Sequence, residues 1–308
     1  MSPSATSDAA PRRLATPLRL VCTEVWGGNR PIDAPIELPG VRGRVYSRPC
    51  TGGRGGDIHY LSVCGSGLIA RLCVADVAGH GEPVAKVSST IHHLLRRYMN
   101  HHDERHVLGL LNRHLNDIGL SALTTAAAVT YYPPARHLSV SYAGHPPAWL
   151  YRRAARRWVR MPARATPTTV PAAVNLPLAV EATTQFTRIT ETVAHGDRLL
   201  MVTDGVLEAP DATGHGYGAA RLEELLDRQR DADVMSIADR IVESLEAYAG
   251  ARGLAHDDVT LLLVEFVPGP RGPAAWHVIR NRIVRPRGNG TDPAFADPRA
   301  ADAAAVVG

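Results

Sequence analysis

The chain is nearly without lysine. Of its 34 basic side chains, all but Lys86 are arginines, a bias that GC-rich codons impose and that carries no functional message. Aromatic residues make up 5% of the sequence, and the formal charge is only +4, with a pI of about 9.0. That excess is too small to argue for a nucleic-acid partner. There are four cysteines, Cys22, Cys50, Cys64 and Cys73. None form a Cys-x-x-Cys pair, which removes the common zinc and redox readings, and a chain of 308 residues has no need of disulfide staples. No run of about 18 apolar residues occurs, so no membrane span is expected. The first thirty or so residues lack the charged start and apolar core of a signal peptide. Together these absences make the cytoplasm the expected location.

What the chain does hold is a set of acids at the ends of apolar runs. Leu68-Ile69-Ala70-Arg71-Leu72-Cys73-Val74-Ala75 leads into Asp76 and then Val77-Ala78-Gly79-His80-Gly81, after which a helical pattern begins near Pro83. This is the pattern of a buried strand that delivers a carboxylate at its C-terminal end. A single such acid most often caps a turn or a helix. Here the pattern recurs: Asp57 follows Gly55-Gly56, Asp204 ends Leu199-Leu200-Met201-Val202, and Asp257-Asp258 precedes the run from Val259 to Val264. Carboxylates gathered at strand ends repel one another unless a cation lies between them. An oxygen-only donor set suits Mg²⁺ or Mn²⁺ rather than zinc.

In chain order, residues 1–14 read as a disordered start and 15–40 as an N-terminal extension with a strand over 18–25. Trp26-Gly27-Gly28-Asn29-Arg30-Pro31 reads as a turn, and Pro31, Pro35 and Pro39 as breakers. The folded domain is expected over 41–267. Strands are predicted at 41–48, 58–63, 68–75, 124–132, 138–143, 148–151, 186–193, 197–202 and 259–266, and helices at 84–99, 104–118, 219–228 and 234–248. Gly52-Gly53-Arg54-Gly55-Gly56 lacks the Gly-Lys-Ser/Thr ending of a phosphate-binding loop. His92, His93, His101, His102, His106 and His114 match no compact metal spacing and read as solvated helix-face residues. Arg152 to Arg164 reads as a solvated surface strand and loop, and 268–308 as a disordered tail whose arginines, without interleaved aromatics, do not point to nucleic acid.

The acids sit within a longer series of motifs: Gly-Gly-Asp at 55–57, Ala-Asp-Val-Ala-Gly-His-Gly at 75–81, Tyr-Ala-Gly-His-Pro-Pro at 142–147, Pro-Leu at 177–178, Gly-Asp at 196–197, Thr-Asp-Gly-Val-Leu-Glu-Ala at 203–209 and Asp-Asp-Val-Thr at 257–260. In order and spacing this series resembles the metal-dependent protein phosphatase 2C family, in its bacterial SpoIIE/RsbU-like branch. The resemblance covers about residues 41–267. It implies an α+β fold, a four-layer α-β-β-α sandwich of two antiparallel sheets flanked by helices. It also implies two or three Mn²⁺ or Mg²⁺ ions held by Asp57, Asp76, Asp204 and Asp257, with Asp76 bridging two ions and the Val77 carbonyl as a further ligand. Asp258 would either orient Asp257 or bind a third ion. His80 would be a proton donor or would hold the turn. Where many relatives carry a second acid after Gly-Gly-Asp, this chain has Tyr60.

By the same resemblance, the expected activity is hydrolysis of phosphoserine or phosphothreonine by a metal-activated water. The usual substrate in this branch is an anti-sigma-factor antagonist. A regulatory protein docking on residues 15–40 or on the helices at 84–118 would supply control, since the 40 or so residues ahead of the core are too few for a sensor domain. The alternative is a pseudophosphatase that binds a phosphoprotein without cleaving it. The oligomeric state is left open, a homodimer included.

Overall fold

Runs such as Ala70 to Val77 are apolar on both faces of a strand, so they need a partner layer on each side. The structure, a computed structural model, supplies those layers by stacking two sheets and covering each with helices. It describes residues 10–20, 25–50, 53–64, 66–79, 82–98, 101, 103–161 and 174–269. The strands are β1 (Leu18–Arg19), β2 (Val25–Gly28), β3 (Ile32–Leu38), β4 (Val41–Arg48), β5 (Ile58–Val63), β6 (Ala70–Val77), β7 (Thr124–Tyr132), β8 (His137–Ala143), β9 (Ala148–Arg152), β10 (Arg157–Met161), β11 (Ile189–Thr192), β12 (Arg198–Val202) and β13 (Val259–Phe266). The helices are α1 (Glu82–Arg97), α2 (Glu104–Ile118), α3 (Asp204–Glu208), α4 (Gly218–Arg228) and α5 (Val234–Ala249).

One sheet runs β1-β3-β4-β13-β12-β9-β10 and the other β11-β8-β7-β6-β5-β2. Every pairing is antiparallel except β1 with β3. The alternation of side chains along each strand sorts them into three apolar layers. Leu72 and Val74 of β6 and Leu199 and Met201 of β12 meet between the sheets. Cys73, Ala75 and Val77 face outward onto α1 and α2, against Val87, Ile91, Leu94, Val107, Leu111 and Leu115. Leu200 and Val202 face the other way, onto Leu222, Leu226, Ile237, Ile241 and Leu245 of α4 and α5. The expected four-layer sandwich is therefore what forms.

The helix ends follow their local chemistry. The Asp103 carboxylate accepts from the Arg105 backbone N–H at the start of α2 (3.0 Å), and Asp233 accepts from Met235 and Ser236 at the start of α5 (2.9 and 3.1 Å). Each cap satisfies backbone donors that the helix itself cannot.

Several expectations change. Residues 15–40 are not an appendage ahead of the sheets: β1 and β3 belong to the first sheet and β2 to the second. The predicted turn at Trp26-Gly27-Gly28 is strand β2, paired with β5, and Trp26 is buried in the inter-sheet core. Pro35 lies within β3, which is tolerated because β1 covers only part of that strand and leaves it close to a sheet edge. Residues 10–14, expected to be disordered, are tied down by a Leu14 N–H bond to the Asp33 carbonyl (2.8 Å) and by an Arg13–Asp33 ion pair (3.2 Å). The basic stretch after 152, expected as a surface strand and loop, does carry a largely exposed strand, β10. His92 is buried against Tyr60 rather than solvated, and burial pushes its pKa down to about 4. The tail beyond 269 lies outside the described residues.

Candidate active site

The two sheets present their acid-bearing strand ends side by side. In the second sheet the β5–β6 ladder closes with Ile58 opposite Ala75, so Asp57 and Asp76 emerge together at its end. In the first sheet β12 and β13 close with Val202 opposite Leu261, and the Thr203 N–H donates to the Thr260 carbonyl (3.0 Å). Asp204 then opens α3, while Asp257 and Asp258 stand just before β13. Hydrogen bonds tie the two sheets together here, among them the Thr203 hydroxyl donating to Asp57 Oδ2 at 2.8 Å.

Glycines let the backbone close over this end. The Val77 N–H donates to the Gly56 carbonyl (3.3 Å), and a Cβ on Gly56 would lie 2.5 Å from the Val77 carbonyl oxygen and 3.4 Å from Asp76 Oδ1. The loop thus lies directly on the Asp76–Val77 peptide. Asp258 is spent on holding that loop. Its carboxylate accepts from the backbone N–H groups of Cys50 (2.8 Å), Gly56 and Asp57 (3.1 Å). On the far side, a Cβ on Gly205 would meet the Asp258 carbonyl oxygen at 1.9 Å. Gly205→Ala must therefore push α3 away from the β13 start. The expected cost is about 1–3 kcal/mol, as for other overpacked sites, read as a lower urea midpoint. An unchanged midpoint would mean that α3 shifts freely.

The electrostatics are one-sided. Asp57 is buried, and its carboxyl is held well above the usual range by burial, then by the charges of Asp76 and Asp258, against hydrogen bonds from Thr260 and Thr203. Asp76 is pushed up to about 7, first by burial and then by Asp204, Asp257, Asp258 and Glu208. Burial also raises Asp204, helped by Glu208, and it raises Asp257, helped by Asp204 and Asp258. The strongest neighbouring charges on Asp76 are all negative. Carboxylates gathered this closely are stabilised by a bound cation.

The residues fit a hard divalent ion. Among the described residues, no three His, Cys, Asp or Glu side chains form a closed cage. Mg²⁺ does not need one, because it keeps several waters and takes one or two carboxylates. Asp76, Asp204 and Asp257 are half-buried and open to solvent on one side, which leaves room for those waters.

The remaining motif residues divide clearly. Tyr60, at the position of the second acid in many relatives, points into the sheet–helix layer, and its hydroxyl donates to the Leu95 carbonyl of α1 (2.9 Å). His145 is buried, shares a hydrogen bond with the Thr125 hydroxyl (2.9 Å), and is held neutral by burial with its pKa down to about 3. His80 lies outside the described residues. Glu208 was missed as a contributor to the site. It lies in the Thr-Asp-Gly-Val-Leu-Glu-Ala motif at 203–209, but no helix was expected there to turn it back towards Asp204.

The family described as Stage II sporulation protein E (SpoIIE) matches residues 69–267, well over half of the chain. The chain belongs to this family. The SpoIIE-family domain is of the PP2C serine/threonine phosphatase type, a metal-dependent class. Solved structures agree on the fold. The chain is 21% identical to the RsbU and RsbW domains of Rv1364c from Mycobacterium tuberculosis, with a TM-score of 0.62, over 83% of this chain and 70% of that one. It is 18% identical to the SiaA-PP2C domain of Pseudomonas aeruginosa (TM-score 0.60, 72% of this chain, 84% of that one). It is also 18% identical to RsbX in complex with magnesium (TM-score 0.55, 76% of this chain, 98% of that one). No curated protein matches by sequence. Among the described residues, no helix is long and apolar enough to cross a membrane.

Proposed function

We propose that this chain is a divalent-metal-dependent protein serine/threonine phosphatase whose centre is built on Asp57, Asp76, Asp204 and Asp257. The observation that carries this reading is the unneutralised negative cluster at the joined strand ends of both sheets, with Asp76 pushed up to about 7 in its midst. Asp76 and the Val77 carbonyl stand at the centre, Asp57 on one side, Asp204 and Asp257 on the other. Asp57, Asp76, Asp204 and Asp257 would hold Mn²⁺ or Mg²⁺, and Glu208 adds negative charge beside Asp204 and Asp76. When bound, such ions supply charge neutralisation for a phosphoryl group and acidify a water for in-line attack.

The protein's own contribution is placement. Thr203 fixes the Asp57 carboxylate by its 2.8 Å hydrogen bond. Asp258 fixes the Gly55-Gly56 loop, so we assign it to holding the site rather than to binding an ion. His256 Nε2 donates to the Gly205 carbonyl (2.9 Å) and steadies the first turn of α3. No cysteine or serine nucleophile is required, since water attacks.

The substrate in this reading is a phosphoserine or phosphothreonine on a protein of the anti-sigma-factor-antagonist type. The likeness to an RsbU domain supports it. The test is hydrolysis of an aryl phosphate and of a phosphorylated antagonist across a Mn²⁺ titration, with Asp204→Asn beside the wild type. Metal-dependent turnover that falls at least ~100-fold in the variant is expected, since even outer-shell partners of a metal site cost 10–100-fold. Phosphoprotein binding without turnover at saturating Mn²⁺ would instead show a domain that only binds.

A further inference from the structure

At the end of the first sheet opposite the acids, the chain builds a second and different concavity. It has a volume of about 490 Å³ and is lined by Arg42, Arg153, Arg156, Arg198 and Arg230 with Tyr151. The β9–β10 turn, the start of β12 and the α4–α5 connection meet there. Five arginines face only three acids, Asp231, Asp233 and Glu265.

Those acids are already engaged. Glu265 pairs with Arg42 (3.2 Å) and Asp231 with Arg156 (2.7 Å). Asp233 caps α5 through Met235, Ser236 and the Ser236 hydroxyl. Asp197, beneath the cleft, is used by the Ala194 N–H (2.9 Å), the Arg153 N–H (2.9 Å) and Arg152 (3.3 Å). Among the described residues, no carboxylate pairs with Arg153, Arg198 or Arg230.

Two of these guanidiniums, those of Arg198 and Arg153, are also held in place. Arg198 lies over the Tyr151 ring at 5.0 Å and donates to the Arg230 carbonyl (3.0 Å), while its Nε is buried with no acceptor. Arg153 is folded across Gly196, where a Cβ would come within 2.5 Å of its Cδ. Gly196 has φ +89°, so the bare backbone at this turn is required twice over. Preorganised arginines with spare forked donors match phosphate oxygens in pairs.

We infer that this cleft binds a polyphosphate anion, with Arg153, Arg198 and Arg230 as its ligands. The chemistry is that of linked phosphates, which occur as inorganic polyphosphate or as the tail of a nucleoside triphosphate. Arg198 and Asp204 lie on the same strand and its extension, six residues apart, or about 20 Å at strand rise. An anion here therefore neither occupies nor blocks the acid cluster. The inference does not depend on the phosphatase reading.

The experiment is calorimetric titration of the full chain in EDTA at about 0.15 M salt, which keeps divalent ions out of the acid cluster. The probes are tripolyphosphate in one arm and ATP or GTP in another. Binding in the micromolar range, weakening with salt, is expected in at least one arm. Arg153→Ala and Arg230→Ala change exposed side chains and should each weaken binding about tenfold. Arg105→Ala, at a distant exposed ion pair, should leave it unchanged. Equal affinity in the two arms assigns the phosphate chain alone, and a tighter nucleotide adds a contact to the nucleoside. The inference is overturned if neither probe binds below millimolar concentration, if Arg105→Ala weakens binding as much as the cleft variants do, or if only a phosphorylated peptide binds.

Discussion

Asp76→Asn is expected to act in two opposite directions, removing activity and making the metal-free protein more stable. The folded-state pKa of Asp76, about 7, lies above its ordinary value of 3.8. The folded protein therefore holds this proton more tightly than the unfolded chain does. The stability that the protonated carboxyl allows is complete below about pH 4. It is lost progressively as pH rises towards 7, where the folded form also ionises. The loss is on the order of 2–4 kcal/mol by pH 8, because each tenfold difference in proton affinity between the folded and unfolded chain is worth about 1.4 kcal/mol. Asparagine has the same shape without the charge and escapes the loss. In EDTA, the variant should match the wild type near pH 4 and melt higher at pH 8. Excess Mg²⁺ or Mn²⁺ should stabilise the wild type strongly and the variant little, because an ion that binds only the folded state adds RT ln(1 + [L]/Kd). Turnover of an aryl phosphate should drop at least ~100-fold. If the variant were the less stable protein in EDTA at pH 8, the view of this end as a charge cluster awaiting cations would be wrong.

The second large effect is structural and lies away from the acids. Arg44 of β4 is one of the largest buried side chains, 2% exposed. Its Nε and Nη2 donate to the two oxygens of Asp33 on β3 (2.7 and 2.9 Å), and Nη1 donates to Asp239 on α5 (2.6 Å). Arg13 closes the group by pairing with both acids. A buried ion pair of this kind adds little net stability over a well-packed apolar replacement, but breaking it leaves an uncompensated charge. Asp33→Ala should therefore cost about 3–5 kcal/mol in urea unfolding. Arg13 is 41% exposed, and its loss should cost about 1 kcal/mol or less. Asp33→Ala combined with Arg44→Met, which removes the stranded charge as well, should recover a large part of the loss. If the double variant proved as unstable as the sum of its parts, packing rather than charge would hold β3, β4 and α5 together.

Much of this protein was legible in its sequence, because period and punctuation are local properties. The helix at 104–118 and the strands at 124–132 and 259–266 appear at the bounds their periodicity and turns imply. The acids were visible as interruptions at the ends of apolar runs, and their number pointed to a cation. What the sequence could not show was direction and partnership. Trp26-Gly27-Gly28 reads as a turn from composition and becomes a strand only because β5 offers it an edge. Asp258 looks like a ligand beside Asp257, but three backbone N–H groups from a loop some two hundred residues earlier claim its oxygens. Tyr60 looks like a lost acid and is instead a hydrogen-bonding strut to α1. The arginines around Tyr151 are scattered from position 42 to position 230, and no local pattern marks them as a group. Local propensity and periodicity, which act over a few residues, determined the elements and the list of acids. Only the tertiary structure could decide which carboxylates stay unpaired and which are consumed, because that depends on backbone groups brought together from distant parts of the chain.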